Sequence, residues 1–249
     1  KKENKPILII PLILKRVLSM NFAQLIGGKE TDYQNILINK VIYLNNKDLI
    51  LGKLKKTFNE KKICYFKNKS ITDSLTISLL NELFHFSHKF KYDESSYLSI
   101  DRSLNNLPKK VHKNIVRVQK KYNLVSKVIN KKDKDFNKVF ENLIKTKNIH
   151  YLSNKVKLMP QERINFYHEI AKNEFSHLSF TKINNKYAAF HLGIKNKDVL
   201  IYLLPTYEKK FSSLSPGWIH LDFLLKDSIL NNLKTLDLTI GNESYKERL

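Results

Sequence analysis

The chain has little cysteine, arginine, glycine or proline, and no long apolar run. A single cysteine, Cys64, cannot form an internal disulfide framework and suits a reducing compartment. It lies in the apolar run Ile63-Cys64-Tyr65-Phe66 and reads as a buried strand thiol, not a nucleophile. No apolar stretch approaches the roughly 20 residues that a membrane-spanning helix needs. The longest, Pro6 to Leu14, is interrupted by Pro11, and Lys15-Arg16 follow where a signal peptide would place small residues, so an edge or bulged strand is the better reading. The chain opens on Lys1 instead of Met, so a preceding segment is expected. No zinc-finger spacing, Walker loop or G-x-S-x-G elbow occurs. His85-x-x-His88 could share a helix face, but no Cys or carboxylate set completes a metal site, so no metal is expected.

Acidic residues are also scarce: 23 against 45 basic ones, for a net charge of +22. Such a charge suits an anionic partner such as nucleic acid, a membrane surface or a phosphorylated cofactor. Only Arg16, Arg102, Arg117, Arg163 and Arg248 are arginines. Base readers and phosphate clamps favour arginine's bidentate fork, so the balance argues against specific nucleic-acid readout and fits a lysine-biased composition. The 42% hydrophobic content is that of a globular protein, and 249 residues allow one large or two small domains.

In chain order, residues 6–14 and 21–28 read as strands. Asp32-Tyr33 opens a helical pattern through Ile36, Leu37 and Val41, and residues 48–59 form an amphipathic helix. Residues 63–66 read as strand, 71–86 as helix and 97–100 as strand again. From Leu107 the character changes. Pro108 opens a basic helix with Lys109, Lys110, His112, Lys113, Arg117, Lys120 and Lys121 outward and Val111, Ile115, Val118 and Tyr122 inward; a solvated face is its plain reading. Residues 136–144 are amphipathic, and Pro160 begins a helix to Asn173 that carries the pair His168-Glu169. Residues 177–180, 186–194 and 199–206 alternate like antiparallel strands joined at Asn184-Asn185 and Lys195-Asn196-Lys197. The soft division falls near residue 101: a half from 1 to 100 and a domain from 101 to 249.

The most informative stretch runs from Ser215 to Leu249. Ser215-Pro216-Gly217 reads as a helix start with a serine cap and proline at the first position. Trp218, Leu221, Leu225 and Ile229 share the buried face of that helix, which Asn231-Asn232 ends. Thr235 to Ile240 alternates as a strand, and Gly241 breaks it before the polar group Asn242-Glu243-Ser244-Tyr245-Lys246. The run SPG…LDLTIGNESYKER resembles the end of the CelD/BcsL-like acyltransferase family of the GNAT superfamily of acyl-CoA N-acyltransferases. Asp237, Gly241, Glu243, Tyr245, Lys246 and Arg248 carry the match, while Asn242 stands where that family usually has Asp. Pro11-Leu12, Gly27-Gly28, Asp32-Tyr33 and Leu37 fit the family's N-terminal half more weakly, and its basic helix resembles residues 109–121.

The resemblance implies an α/β (α+β) GNAT-like fold: a mixed, mostly antiparallel sheet flanked by helices, with two halves that could be tandem copies. Further strands usually follow this point, so the sheet is expected to be short of them. It also implies a cytoplasmic bacterial enzyme with acyl-CoA or acetyl-CoA as co-substrate and a small-molecule or sugar amine as acceptor. The cofactor's pyrophosphate would lie on Ser215, Pro216 and Gly217 with Lys209 and Lys210 nearby, since a helix N-terminus attracts anions. The superfamily's glycine-rich loop is absent there. Backbone N–H groups around Leu203 and Leu204 would polarise the thioester carbonyl where the strand 200–204 splays, and Pro205, lacking an N–H, would interrupt the ladder. Glu243 is the first choice for general base and Asp237 the second; Tyr245 would protonate the leaving thiolate, and Lys246 would orient Glu243 or hold the acceptor. A structural Glu243–Lys246 ion pair is the rival reading. Two other functions stay open: a Fem-type aminoacyltransferase drawing on aminoacyl-tRNA, which the charge favours, and a non-catalytic basic binding module.

Overall fold

In the computed structural model, residues 6–17, 19–27, 33–67, 73–84, 95–100, 107–241 and 246–248 are described. The chain forms two compact units, Lys1–Asp93 and Glu94–Leu249.

In the first unit Pro11 divides the apolar run into β1 (Leu8–Ile9) and β2 (Leu12–Val17). β2 pairs antiparallel with β3 (Met20–Leu25), and β3 pairs parallel with β5 (Ile63–Lys67). β1 pairs with β4 (Leu37–Ile38), so the helix expected from Asp32-Tyr33 is corrected: α1 (Lys40–Asn45) begins only after Asn39, whose side chain accepts from Ile42 N–H at 3.2 Å. Strand pairing with Leu8–Ile9 overrides local periodicity there. α2 (Lys47–Glu60) and α3 (Ser74–Leu83) follow. The Asp73 carboxylate caps α3 by accepting the Thr76 N–H and hydroxyl at 2.7 and 2.8 Å. Leu25, Ile36, Tyr43, Leu51, Leu79 and Leu80 form this unit's core. Cys64 stands in β5 with its side chain outside the described part, and His85 and His88 lie outside it altogether.

The second unit is a six-stranded sheet in the order β6-β11-β10-β9-β8-β7. Its strands are β6 (Ser95–Ser99), β7 (Leu124–Ile129), β8 (Ser176–Ile183), β9 (Lys186–Asn196), β10 (Val199–Tyr207) and β11 (Thr235–Ile240). All neighbours are antiparallel except β10 and β11. β6, which the sequence reading placed in the first half, pairs with β11 here. β7 was not foreseen: it directly follows the basic helix, and no Gly or Pro separates the two. Asn184 and Asn185 both take left-handed φ, 48° and 61°, and so supply the tight turn between β8 and β9.

Helices cover both faces. α4 (Lys109–Lys121) and α7 (Pro216–Leu230) pack Ile115, Val118, Leu221 and Leu224 against Leu200 and Leu236. α5 (Phe136–Ser153) and α6 (Gln161–Ala171) pack Phe140, Leu143 and Tyr167 against Leu178, Phe190, Leu192 and Leu204. α7 is apolar nearly all round, with Ile219, Leu221, Leu224 and Leu225 buried, so the single stripe read from Trp218 and Leu221 understates its burial. No helix among the described residues is long and apolar enough to cross a membrane.

Candidate active site at the open edge of the sheet

β10 and β11 pair over only three residues each, Val199–Ile201 with Thr235–Asp237. Beyond that level both strands shift register: β10 between Ile201 and Leu204 against β9, β11 between Asp237 and Ile240 against β6. Two bulges at the same height turn the strands apart, so β10 is left with an open edge, as the sequence reading of 200–204 expects. Pro205 does not break the ladder, which corrects that part of the reading: Pro205 stands opposite His191 and pairing continues to Tyr207–Ala189. Glu208 N–H donates to Ala188, so by alternation the polar groups of Pro205 and Tyr207 face the other, open edge, where a missing N–H costs no ladder bond.

A cavity of about 490 Å³ lies along this edge. Its walls come from both faces of the sheet: α5 and Phe190 on one side, Tyr202, His220 and Leu221 on the other, with Ser215–Trp218 at its end. The α5 helix runs two turns past the predicted Ile144, and that extension carries Lys147 and His150. Lys147 Nζ donates to the Pro205 carbonyl at 3.0 Å, and His150 Nε2 bonds the Tyr207 carbonyl at 2.6 Å. Thr206 is 8% exposed and lines the cavity, and its buried hydroxyl has no hydrogen-bond partner among the described residues.

The α7 start differs from expectation. Ser215 is left-handed (φ 57°, ψ 53°) and its side chain does not cap the helix. Its carbonyl instead accepts from Trp218 and Ile219 N–H at 3.1 and 3.3 Å. Pro216 has no N–H, and among the described residues the Gly217 N–H has no acceptor in the chain. Among the described residues no carboxylate lines the cavity. Its charge comes from Lys147 and the positive end of α7, so it suits an anionic or carbonyl-bearing ligand.

Residues 109–247, more than half of the chain, match the family described as Acetyltransferase (GNAT) domain. The chain belongs to the GNAT acetyltransferase family. It is an acyltransferase, and the matched span runs from α4 to just beyond β11. No curated protein matches the chain. Among solved structures, the protein titled FemX superposes with a TM-score of 0.68 at 11% identity, over 98% of this chain and 78% of its own. A C-terminal domain assigned to lysylphosphatidylglycerol synthetase of Agrobacterium fabrum gives 0.61 at 8% identity, over 95% and 68%. L-PGS from Bacillus licheniformis gives 0.59 at 11% identity, over 94% and 66%. At such identities these likenesses show the fold.

The cavity gathers Ser215, Pro216 and Gly217, and among the described residues it does not gather Leu203, Leu204, Lys210, Asp237 or Lys246. Leu203 and Leu204 pack their side chains into the core beneath α5. Lys210 is exposed, 3.7 Å from Glu208 and stacked over the Phe211 ring. The Asp237 carboxylate accepts the Thr239 N–H at 2.8 Å and so braces the bulge in which Thr239 takes a left-handed φ of 64°. Lys246 is buried and donates to the Thr239 and Gly241 carbonyls at 3.1 and 3.3 Å, tying the tail to the same bulge. Glu243 and Tyr245 lie outside the described residues. His168 packs on the rings of Phe136 and Phe140, and Glu169 pairs with Lys172.

Sequence reasoning missed a polar layer under α7. His177, Ser179 and Thr181 on β8 and His191 on β9 alternate with core residues, and all are buried. His220 Nε2 lies 3.1 Å from Ser179 Oγ and its Nδ1 2.7 Å from Thr181 Oγ1, which meets Ser126 Oγ at 2.7 Å. His177 Nε2 lies 3.0 Å from Asp227. His191 stacks on Tyr202 at 4.7 Å, and among the described residues neither of its ring nitrogens has a partner. Burial pushes His220 down to about 3, and it drives His191 well below the ordinary histidine value, helped in both by His177. Both rings are neutral at pH 7. The available signal was the alternation of His177, Ser179 and Thr181 on one strand face.

Proposed function

We propose that this GNAT enzyme is a CelD/BcsL-like N-acyltransferase that moves an acyl group from acyl-CoA to an amine. The resemblance in the C-terminal stretch points to an amino sugar in envelope or exopolysaccharide synthesis. The observation that carries the reading is the cavity at the parting of β10 and β11, lined by Thr206 and by Gly217 at the start of α7. A thioester carrier suits that shape: phosphate oxygens at the mouth of α7, the pantetheine arm along the open strand edge, and the thioester carbonyl against backbone donors. Glu243 and Tyr245, just past β11, remain the resemblance's proton-handling residues. Asp237 and Lys246 hydrogen-bond the bulge at Thr239. The unit Lys1–Asp93 belongs to this reading as a partial tandem copy.

A second reading, the Fem-type aminoacyltransferase, draws support from α4. Its Lys109, Lys110, Lys113, Arg117, Lys120 and Lys121 are exposed, and no acidic residue stands among its 13 residues. Thermal shift with acetyl-CoA against aminoacyl-tRNA separates the two. A ligand at 100 times its Kd adds about 2.7 kcal/mol of stability. Stabilisation by acetyl-CoA with thiol release upon adding amine supports the first reading. Stabilisation by aminoacyl-tRNA alone replaces it with the second, and no response to either leaves the binding module.

A further inference from the structure

The chain that leaves α5 is pinned, yet it holds its apolar side chains outward. Lys155 takes a left-handed φ of 57°; its N–H donates to the Leu152 carbonyl at 3.1 Å, and the Val156 N–H donates to the Tyr151 carbonyl at 2.8 Å. That pair of bonds turns the chain back on the helix. At the far end the Met159 N–H donates to the Asn148 side chain at 3.0 Å, and Met159 is buried. Residues 155–158 therefore run back along the last turns of α5. A return of this kind commonly lays an apolar residue against the helix. Here Ile149 and Leu152 on the helix, and Val156 and Leu158 on the return, are instead 44% to 59% exposed. Lys155 and Lys157 alternate with them and are exposed, as is Lys145, one turn before Ile149. The sequence has no Asp or Glu from residue 142 to 161.

We infer that this segment docks the protein on an anionic lipid bilayer. Ile149, Leu152, Val156 and Leu158 enter the boundary between headgroups and acyl chains, and Lys145, Lys155 and Lys157 meet lipid phosphates. His150, Tyr151 and Asn154 of the same segment line the cavity, so docking brings that wall to the headgroups. The inference goes beyond the acyltransfer reading and does not depend on which acyl donor the cavity takes.

Charge and side-chain type together select this occupant. Four exposed aliphatic residues in one short segment form a patch, which marks an interaction site where single exposed residues do not. A second copy of the chain, meeting the segment about a twofold axis, would set lysines against lysines, with no acid in the segment to offset them. Single-stranded nucleic acid would take the lysines, but its bases stack on aromatic rings and gain little from Ile149, Leu152, Val156 and Leu158. An anionic bilayer is complementary to both: a negative surface for the cations and hydrocarbon just beneath for the aliphatic groups.

The test is co-sedimentation of the whole chain with vesicles of phosphatidylcholine alone, and of equal parts phosphatidylcholine and phosphatidylglycerol. Wild type should bind the anionic vesicles and stay in solution with the neutral ones. Lys155→Gln with Lys157→Gln should lower the partition coefficient about 30-fold, the effect of two lysines at an anionic surface. Val156→Ser with Leu158→Ser should lower it on the order of 10-fold. Both side chains are exposed, so the thermal melt of that variant should match wild type. High salt screens the lysines, and the wild-type binding that survives it should be the part the serine variant loses. Equal binding to neutral vesicles overturns the inference. So does undiminished binding by both loop variants while Lys109→Gln with Lys113→Gln on α4 lowers it. Loop variants that lose transfer RNA or self-association but keep the vesicles also overturn it. None of these outcomes concerns acetyl-CoA, so the acyltransfer reading stands or falls separately.

Discussion

His220 Nδ1 and Thr181 Oγ1 are 2.7 Å apart beneath α7, in a layer where both residues are buried and neutral. The unfolded chain protonates His220 near pH 6.5, whereas the folded chain resists until about 3. Between those values the unfolded state binds more protons, so stability falls as pH falls. The slope from His220 is about 1.4 kcal/mol per pH unit, and His191 adds to it in the same direction. Urea melts at pH 7.5, 6.5 and 5.5 should show little change over the first step and a clear loss over the second. A flat profile to pH 5 would contradict the buried layer.

Thr206 has a buried hydroxyl that nothing among the described residues uses. A buried, unbonded hydroxyl costs roughly 1–3 kcal/mol, so Thr206→Val should leave the free protein as stable or slightly more stable. If the hydroxyl serves a ligand, the same change should weaken acetyl-CoA binding by about 5- to 10-fold, the value of one hydrogen bond. Calorimetric titration beside a urea melt reads both effects.

At Gly217 a Cβ would meet only Tyr207 Cδ1, at an ordinary 3.8 Å. The fold does not require glycine there, and Gly217→Ala should not destabilise it. A phosphate resting on the N–H would feel the methyl. The expected result is an acetyl-CoA KM raised on the order of 10-fold with kcat nearly unchanged.

Gly193 behaves oppositely. A Cβ there would lie 2.5 Å from the Ile201 carbonyl oxygen, a backbone atom that cannot swing aside, and would also press on the His191 ring. Gly193→Ala should cost about 1–3 kcal/mol in denaturant melts, in the range of core overpacking.

The meander of β8, β9 and β10 was legible because each strand alternates locally and Asn184-Asn185 announces its own turn. The open edge at residues 200–204 was legible through the family likeness. The reach of α5 was not. Nothing between Ile144 and Ser153 breaks a helix, but the loss of clear amphipathic spacing after Ile144 hid the turns that carry Lys147 and His150. The helix read at residues 33–41 failed because Leu37 and Ile38 find strand partners almost thirty residues away.

Local chemistry therefore determined most of the elements of the second unit and its turn residues, since backbone preference and side-chain period act over a few positions. Tertiary structure decided which polar groups meet. His150 and Tyr207, or His220 and Thr181, are far apart along the chain, and only the packing of α5 and α7 on opposite faces of one sheet brings each pair within bonding distance. The contacts of Asp237 and Lys246 arise the same way, at a bulge whose backbone groups take partners that no local pattern specifies.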